Sequence, residues 1–170
     1  MPLSRISLAL LGAGAAILIL FCLALPARGA TISTTFAVKA TVLASCQVTA
    51  SDLDFGNYAA GSGSDTTADS NIDVTCTNGT TYTVALDGGS VAHDVSARQM
   101  SDGNSHTLFY ALYTTAGFTT AWGDGSGATT TVSGTGNGSA QSSTVFGQLP
   151  AGQYVPSGAY TDHVTVTVTY

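Results

Sequence analysis

The stretch Thr31–Val42 reads TISTTFAVKATV, and its pattern decides what kind of fold follows. Apolar residues fall on every second position, at Ile32, Phe36, Val38, Ala40 and Val42, with Thr34 filling the one gap. Ser33, Thr35, Ala37, Lys39 and Thr41 stand between them. Period two over this length specifies an extended strand with one face for burial and the other for water. Two outcomes fit that pattern. The strand pairs within its own sheet, or its first half is offered to a neighbouring molecule.

Upstream, Arg5 precedes an almost wholly apolar run, Ile6–Leu25, followed by Pro26 and the small residues Ala27, Gly29 and Ala30. This order predicts a secretory signal peptide over residues 1–30, cleaved near Gly29 or Ala30. The run is also near the length that spans a bilayer, so an uncleaved anchor is the alternative. Leu20 and Phe21 ahead of Cys22 argue against a lipoprotein. Downstream of residue 30, two basic residues (Lys39 and Arg98) stand against ten aspartates and no glutamate, a formal net charge of −8. Such a surface repels nucleic acid phosphates and anionic headgroups, so no nucleic acid partner is expected. Cys46 and Cys76 remain after cleavage, and an even count in an exported chain reads as one disulfide, the alternative being two buried thiols.

Beyond the opening strand, Leu43–Thr49 is expected to continue into the sheet, with Lys39 onward forming the domain's own first strand. Leu53–Tyr58 reads as a short aromatic strand or bulge kinked at Gly56. Gly61–Asp69 reads as loop by composition. Asn71–Thr77 and Tyr82–Leu86 flank Asn78-Gly79, which predicts a hairpin with a tight turn. A short strand is expected around Arg98–Met100, and His106–Tyr113, apolar on both faces, reads as a central sandwich strand. Gly123–Ser143 reads as loops around a weak strand near Thr129–Val132, and Val145–Pro150 as another short strand. Tyr160–Tyr170 carries the strongest pattern, with Val164, Val166 and Val168 on one face, and the chain is expected to end there on an unpartnered strand. No helical period is sustained. The expected fold is all-β, a sandwich of eight or so strands.

Residues for chemistry are scattered. His93, His106 and His163 each lack a second histidine or cysteine at ligand spacing, so no metal site is expected. The aspartates at 52, 54, 65, 69, 87, 94, 102 and 124 lie apart in loops and read as a solvated surface rather than a catalytic pair. Trp122 beside a glycine-rich loop allows a sugar-stacking surface, though core packing explains a lone tryptophan equally well. No catalytic residue and no cofactor are expected.

Several motifs together resemble the spore coat U domain family, which includes subunits of archaic, Csu-type chaperone–usher pili. The matching pieces are Cys46-Gln47-Val48, Phe55-Gly56-Asn57-Tyr58, Val74-Thr75-Cys76 with Gly79–Tyr82, and Leu86–Gly89. Arg98-Gln99-Met100, Leu108–Tyr113, Trp122–Gly125, Val145–Gln153 and Gly158–Asp162 follow in the same order. The resemblance implies an immunoglobulin-like sandwich that lacks its final strand and is completed by a donor strand from another chain. It implies a handoff: a periplasmic chaperone lends the strand during export, and at an outer-membrane usher the next subunit's N-terminal segment replaces it. On that reading residues 31–38 are the donor, with Ile32, Thr34, Phe36, Val38 and possible overlap at Ala40, and residues 39–170 are the domain. Val164, Val166, Val168 and Tyr170 line the acceptor groove. The implied role is structural, in a cell-surface pilus serving adhesion or biofilm formation. A secreted monomeric binding module, for example for glycans, or a coat protein is the alternative.

Overall fold

A computed structural model describes residues 28–170. All but the last three residues of the expected signal peptide therefore lie outside the described residues. The chain divides into two units between Lys39 and Ala40. In the first, residues 28–39 form neither helix nor strand, and every residue is exposed. The alternating pattern of Thr31–Val42 thus supplies the face of a strand without the ladder, because backbone hydrogen bonds need a neighbouring strand.

The second unit holds nine strands: β1 (Cys46–Ala50), β2 (Thr66–Cys76), β3 (Thr81–Leu86), β4 (Gln99–Ser101), β5 (Thr107–Phe109), β6 (Ala111–Tyr113), β7 (Val132–Thr135), β8 (Gln141–Leu149) and β9 (Val166–Thr169). They form an antiparallel four-stranded sheet in the order β1-β2-β8-β6, a three-stranded sheet β7-β3-β9, and the ribbon β4-β5. Alternation along the strands points Ile72, Val74, Cys76, Leu112, Val145 and Leu149 from the first sheet into one core with Tyr82, Val84 and Leu86 from the second. The all-β expectation holds.

Several local expectations change. The first strand begins at Cys46, not Lys39, and residues 40–45 stay unpaired apart from Ser45, whose carbonyl accepts from the Thr77 N–H at 2.9 Å. β2 starts at Thr66 inside the expected loop, because Thr66–Val74 pair along β8 from Leu149 to Gln141. The Asn78-Gly79 turn forms, with Thr80 N–H donating to Thr77 O at 3.0 Å and Gly79 at φ +83°, but it is no hairpin. Both edges of β2 are already taken by β1 and β8, so the turn sends β3 across to the other sheet. His106–Tyr113 breaks at Tyr110: β5 pairs with β4 and β6 with β8. At the break the Gln153 side chain stands in for a strand partner, bonding Phe109 N–H at 2.7 Å and Phe109 O at 2.9 Å. The final strand is shorter than Tyr160–Tyr170 because its upstream half is held by loops.

The sandwich is closed along one side by Trp122, which is fully buried. Its backbone N–H donates to Leu112 O at 2.8 Å and its Nε1–H to Val84 O at 3.0 Å, so one residue ties the two sheets. This rules out the sugar-stacking use of Trp122. Arg98, 1% exposed, is buried at the end of β3, where it donates to Asp87 O at 2.8 Å, Leu86 O at 3.2 Å and Val95 O at 3.3 Å. Burial lowers its pKa from the usual arginine value, and the three carbonyls offset the loss of water.

Upstream of β9, two carboxylates replace the ladder. Asp162 Oδ1 accepts from Ser90 N–H at 2.8 Å and Val91 N–H at 3.1 Å, and Oδ2 accepts from the Tyr110 hydroxyl at 2.7 Å. Gly89 is required here, since it adopts φ +77° and a Cβ on it would collide with the Asp162 carboxylate. Asp87 Oδ1 accepts from Thr165 N–H at 2.8 Å and Gly89 N–H at 3.0 Å. Partial burial works against the Asp87 carboxylate, yet hydrogen bonds from Thr165 and Gly89 and the nearby Arg98 charge outweigh it and hold its pKa below 3.8.

Cys46 and Cys76 are bonded directly across the β1–β2 ladder, with Cα atoms 4.1 Å apart, so the bridge ties β1 to its sheet neighbour rather than to a hairpin. Closing a loop of 30 positions stabilises by roughly 3–4 kcal/mol on chain-entropy grounds. Cys46→Ser should lower unfolding free energy by about that amount; an unchanged denaturation midpoint for the oxidised protein would contradict the assignment. A depressed folded pKa at Asp87 means its stabilisation is present above pH 3.8 and lost as pH falls below it. Protection of the Thr165 and Gly89 amides, relative to their intrinsic exchange rates, should fall on acidification through that range and lose this pH dependence in Asp87→Asn. Identical profiles for the two proteins would refute the anchoring role.

Candidate strand-acceptor groove

On the side opposite Trp122, β1 and β9 touch, but beyond them the two sheets stay apart between Ala50–Phe55 and Tyr160–Val166. β1 ends one sheet and β9 ends the other, and among the described residues neither has a strand on its outer edge. Between them lies a groove of about 510 Å³. One wall is Ala50–Phe55, the continuation of β1, and the other runs from Tyr160 to Val164 and on to Val166. Ile72, Leu86, Leu112 and Val145, all core residues, reach its floor. The groove is thus an opening onto the hydrophobic core rather than a surface dimple.

Local sequence explains both walls. Leu53 and Phe55 turn inward, Asp52 and Asp54 outward, and Gly56 at φ +65° turns the chain, with its N–H donating to Asp54 Oδ1 at 2.8 Å. Gly147 on β8 makes room for this wall: a Cβ there would sit 2.8 Å from Phe55 Cζ and 2.9 Å from Leu53 Cδ2. Phe55 in turn packs edge-on against Tyr110, ring centres 6.3 Å apart. Across the groove, Val164, Val166 and Val168 are half-buried against the core. Val164 and Val166 line the groove directly. Val168 and Tyr170 do not: Val168 packs on the core outside the groove lining, and Tyr170 is exposed beside Thr81, Tyr82 and Thr169, at the disulfide end of the sandwich.

The sequence-derived donor residues stand out by exposure. Ile32 is 98% exposed, Phe36 86% and Val38 83%, and Thr34 and Ala40 are exposed as well. Water-facing apolar side chains in one alternating row are a surface awaiting cover. Sequence reasoning missed three functional positions of the groove: Asp162 and Asp87, which hold its β9 wall, and Gly147, which seats the other. Asp162 lies in the Gly158–Asp162 motif, which was the one available signal. His106 Nδ1 meets Asp102 Oδ2 at 2.8 Å on an exposed turn, and this contact holds the Asp102 carboxyl down at about 2.

Comparison with known proteins follows the same line. The model of the Spore Coat Protein U domain matches residues 32–167. Among solved structures, the chain is similar to the CsuC–CsuE chaperone–tip adhesion subunit pre-assembly complex of the archaic chaperone–usher Csu pili of Acinetobacter baumannii, at 25% identity and a TM-score of 0.56. That likeness covers 76% of this chain and 40% of the other, so the chain spans well under half of its structural relative. A chaperone–tip adhesin complex of CFA/I fimbriae biogenesis is similar at 12% identity and a TM-score of 0.40, over 73% of this chain and 42% of that one. A search of curated proteins finds no match. The architecture is an immunoglobulin-like sandwich with one side open, its family is structural rather than enzymatic, and the chain belongs to the Spore Coat Protein U domain family.

Proposed function

We propose that this chain is a structural subunit of an extracellular pilus of the chaperone–usher type, exported through the periplasm and polymerised by strand exchange. On this reading residues 31–38 of one copy, or of another subunit, fill the groove between β1 and β9 of the next. A periplasmic chaperone occupies the groove beforehand, and an outer-membrane usher directs the exchange. The observation that carries the reading is the near-complete exposure of Ile32, Phe36 and Val38, in period two, in a chain whose own sandwich opens onto its core.

The physics supports a firm contact. Burying the three large side chains is worth roughly 1.5–3 kcal/mol each, about 5–9 kcal/mol together, before the backbone ladder and the cost of association. The added strand also satisfies the N–H and C=O groups along the open edge of β9. Thr34 and Ala40 contribute less, being small.

The secreted glycan-binding alternative loses its one specific support, since Trp122 is core. Phe36→Asp should leave chaperone-bound subunit intact while abolishing heat-sensitive multimers on an unheated gel, because a carboxylate cannot be buried unpaired in an apolar groove. Multimers formed by Phe36→Asp at wild-type yield would sink the proposal.

A further inference from the structure

The groove is apolar along its floor but acidic at one end, and residues 31–170 carry one exposed lysine to meet it. Among residues 31–170 the basic side chains are Lys39 and Arg98. Arg98 is buried against three carbonyls. Lys39 is exposed and directly follows Val38, the last large apolar residue of the proposed donor. It is therefore the single accessible cation in a stretch of ten aspartates.

Direction follows from the ladders. β9 runs toward the disulfide end, since Val166 pairs with Leu86 and Thr169 with Thr83. β1 runs the opposite way, from Cys46 at the disulfide to Ala50 opposite Ile72. Every strand pair in the sandwich is antiparallel, the slightly more stable arrangement. A strand added antiparallel to β9 enters from the disulfide end, parting β9 from β1, which touch in the free chain, and leaves past Ala50. Ile32 to Val38 is the same span as Asp162 to Val168. Setting Ile32 beside Val168 then places Thr34 by Val166, Phe36 by Val164 and Val38 by Asp162, with all inward residues on one face. Lys39 emerges next, at the end of the groove whose wall carries Asp52 and Asp54. Asp162 is already saturated, and Asp54 caps the turn at Gly56. Asp52 is exposed and has no hydrogen-bond partner among the described residues.

Resting on the strand-exchange reading, we infer that Lys39 of an incoming second copy pairs with Asp52 on the rim of the groove, and that this contact fixes the direction and register of the inserted strand. An exposed pair of this kind adds little affinity but steers approach and penalises the reversed orientation, which would carry Lys39 to the disulfide end.

The test is the rate at which the full chain forms heat-sensitive multimers, for wild type, Lys39→Asp, Asp52→Lys, the combined swap, and Phe36→Asp. At about 20 mM NaCl each single reversal should slow assembly on the order of tenfold, and the combined swap should return it to within about twofold of wild type. At about 500 mM NaCl the differences should close. Single reversals that assemble at the wild-type rate, or a swap that restores nothing, overturn the inference. If those results come with a block in Phe36→Asp, the charge contact alone has failed. If Phe36→Asp also assembles normally, the strand-exchange reading has failed with it.

Discussion

Everything in this molecule depends on an unpaired edge. β3 is flanked by β7 and β9, and β2 by β1 and β8, so both sheets have a well-ordered middle. Trp122 then closes one side by bonding a backbone carbonyl of each sheet. On the other side lies a groove whose floor is formed by buried core residues such as Ile72 and Leu86. An edge that exposes both backbone groups and apolar floor invites association. Side chains fix the walls of that edge: Asp87 and Asp162 hold the segment upstream of β9, and Gly147 seats Leu53 and Phe55 opposite it. A preformed groove lowers the ordering cost of accepting a strand.

Legibility from sequence tracked locality. The period-two runs were readable because side-chain alternation is a property of a single strand. Pairing was not, since it depends on which edges are free. Asn78-Gly79 makes the tight turn its chemistry demands, but β2 has no edge left for β3, and nothing near residue 78 says so. His106–Tyr113 reads as one strand, and only the competing claims of β4 and β8 split it at Tyr110. Thr66–Asp69 reads as loop because the polar residues that suggest one also suit the end of a long antiparallel ladder.

The groove was half legible. Val164 and Val166 announced themselves by alternation, as did the exposed row Ile32, Phe36 and Val38 of the proposed donor. The supports did not. Asp162 looks like any surface aspartate until the Ser90–Val91 loop and the Tyr110 hydroxyl arrive around it from distant parts of the chain. Arg98 looks like a solvated cation, yet it is among the most buried side chains described. Long-range hydrogen bonding of this kind leaves no periodic trace.

The central claim, that residues 31–38 join copies through the open groove, is tested most directly by gel migration of the secreted protein, unheated against boiled, beside a version lacking Thr31–Val38. The account predicts a heat-sensitive ladder for the intact chain and its loss on deletion. A single monomer band for the folded intact protein, or a ladder that survives the deletion, would contradict it.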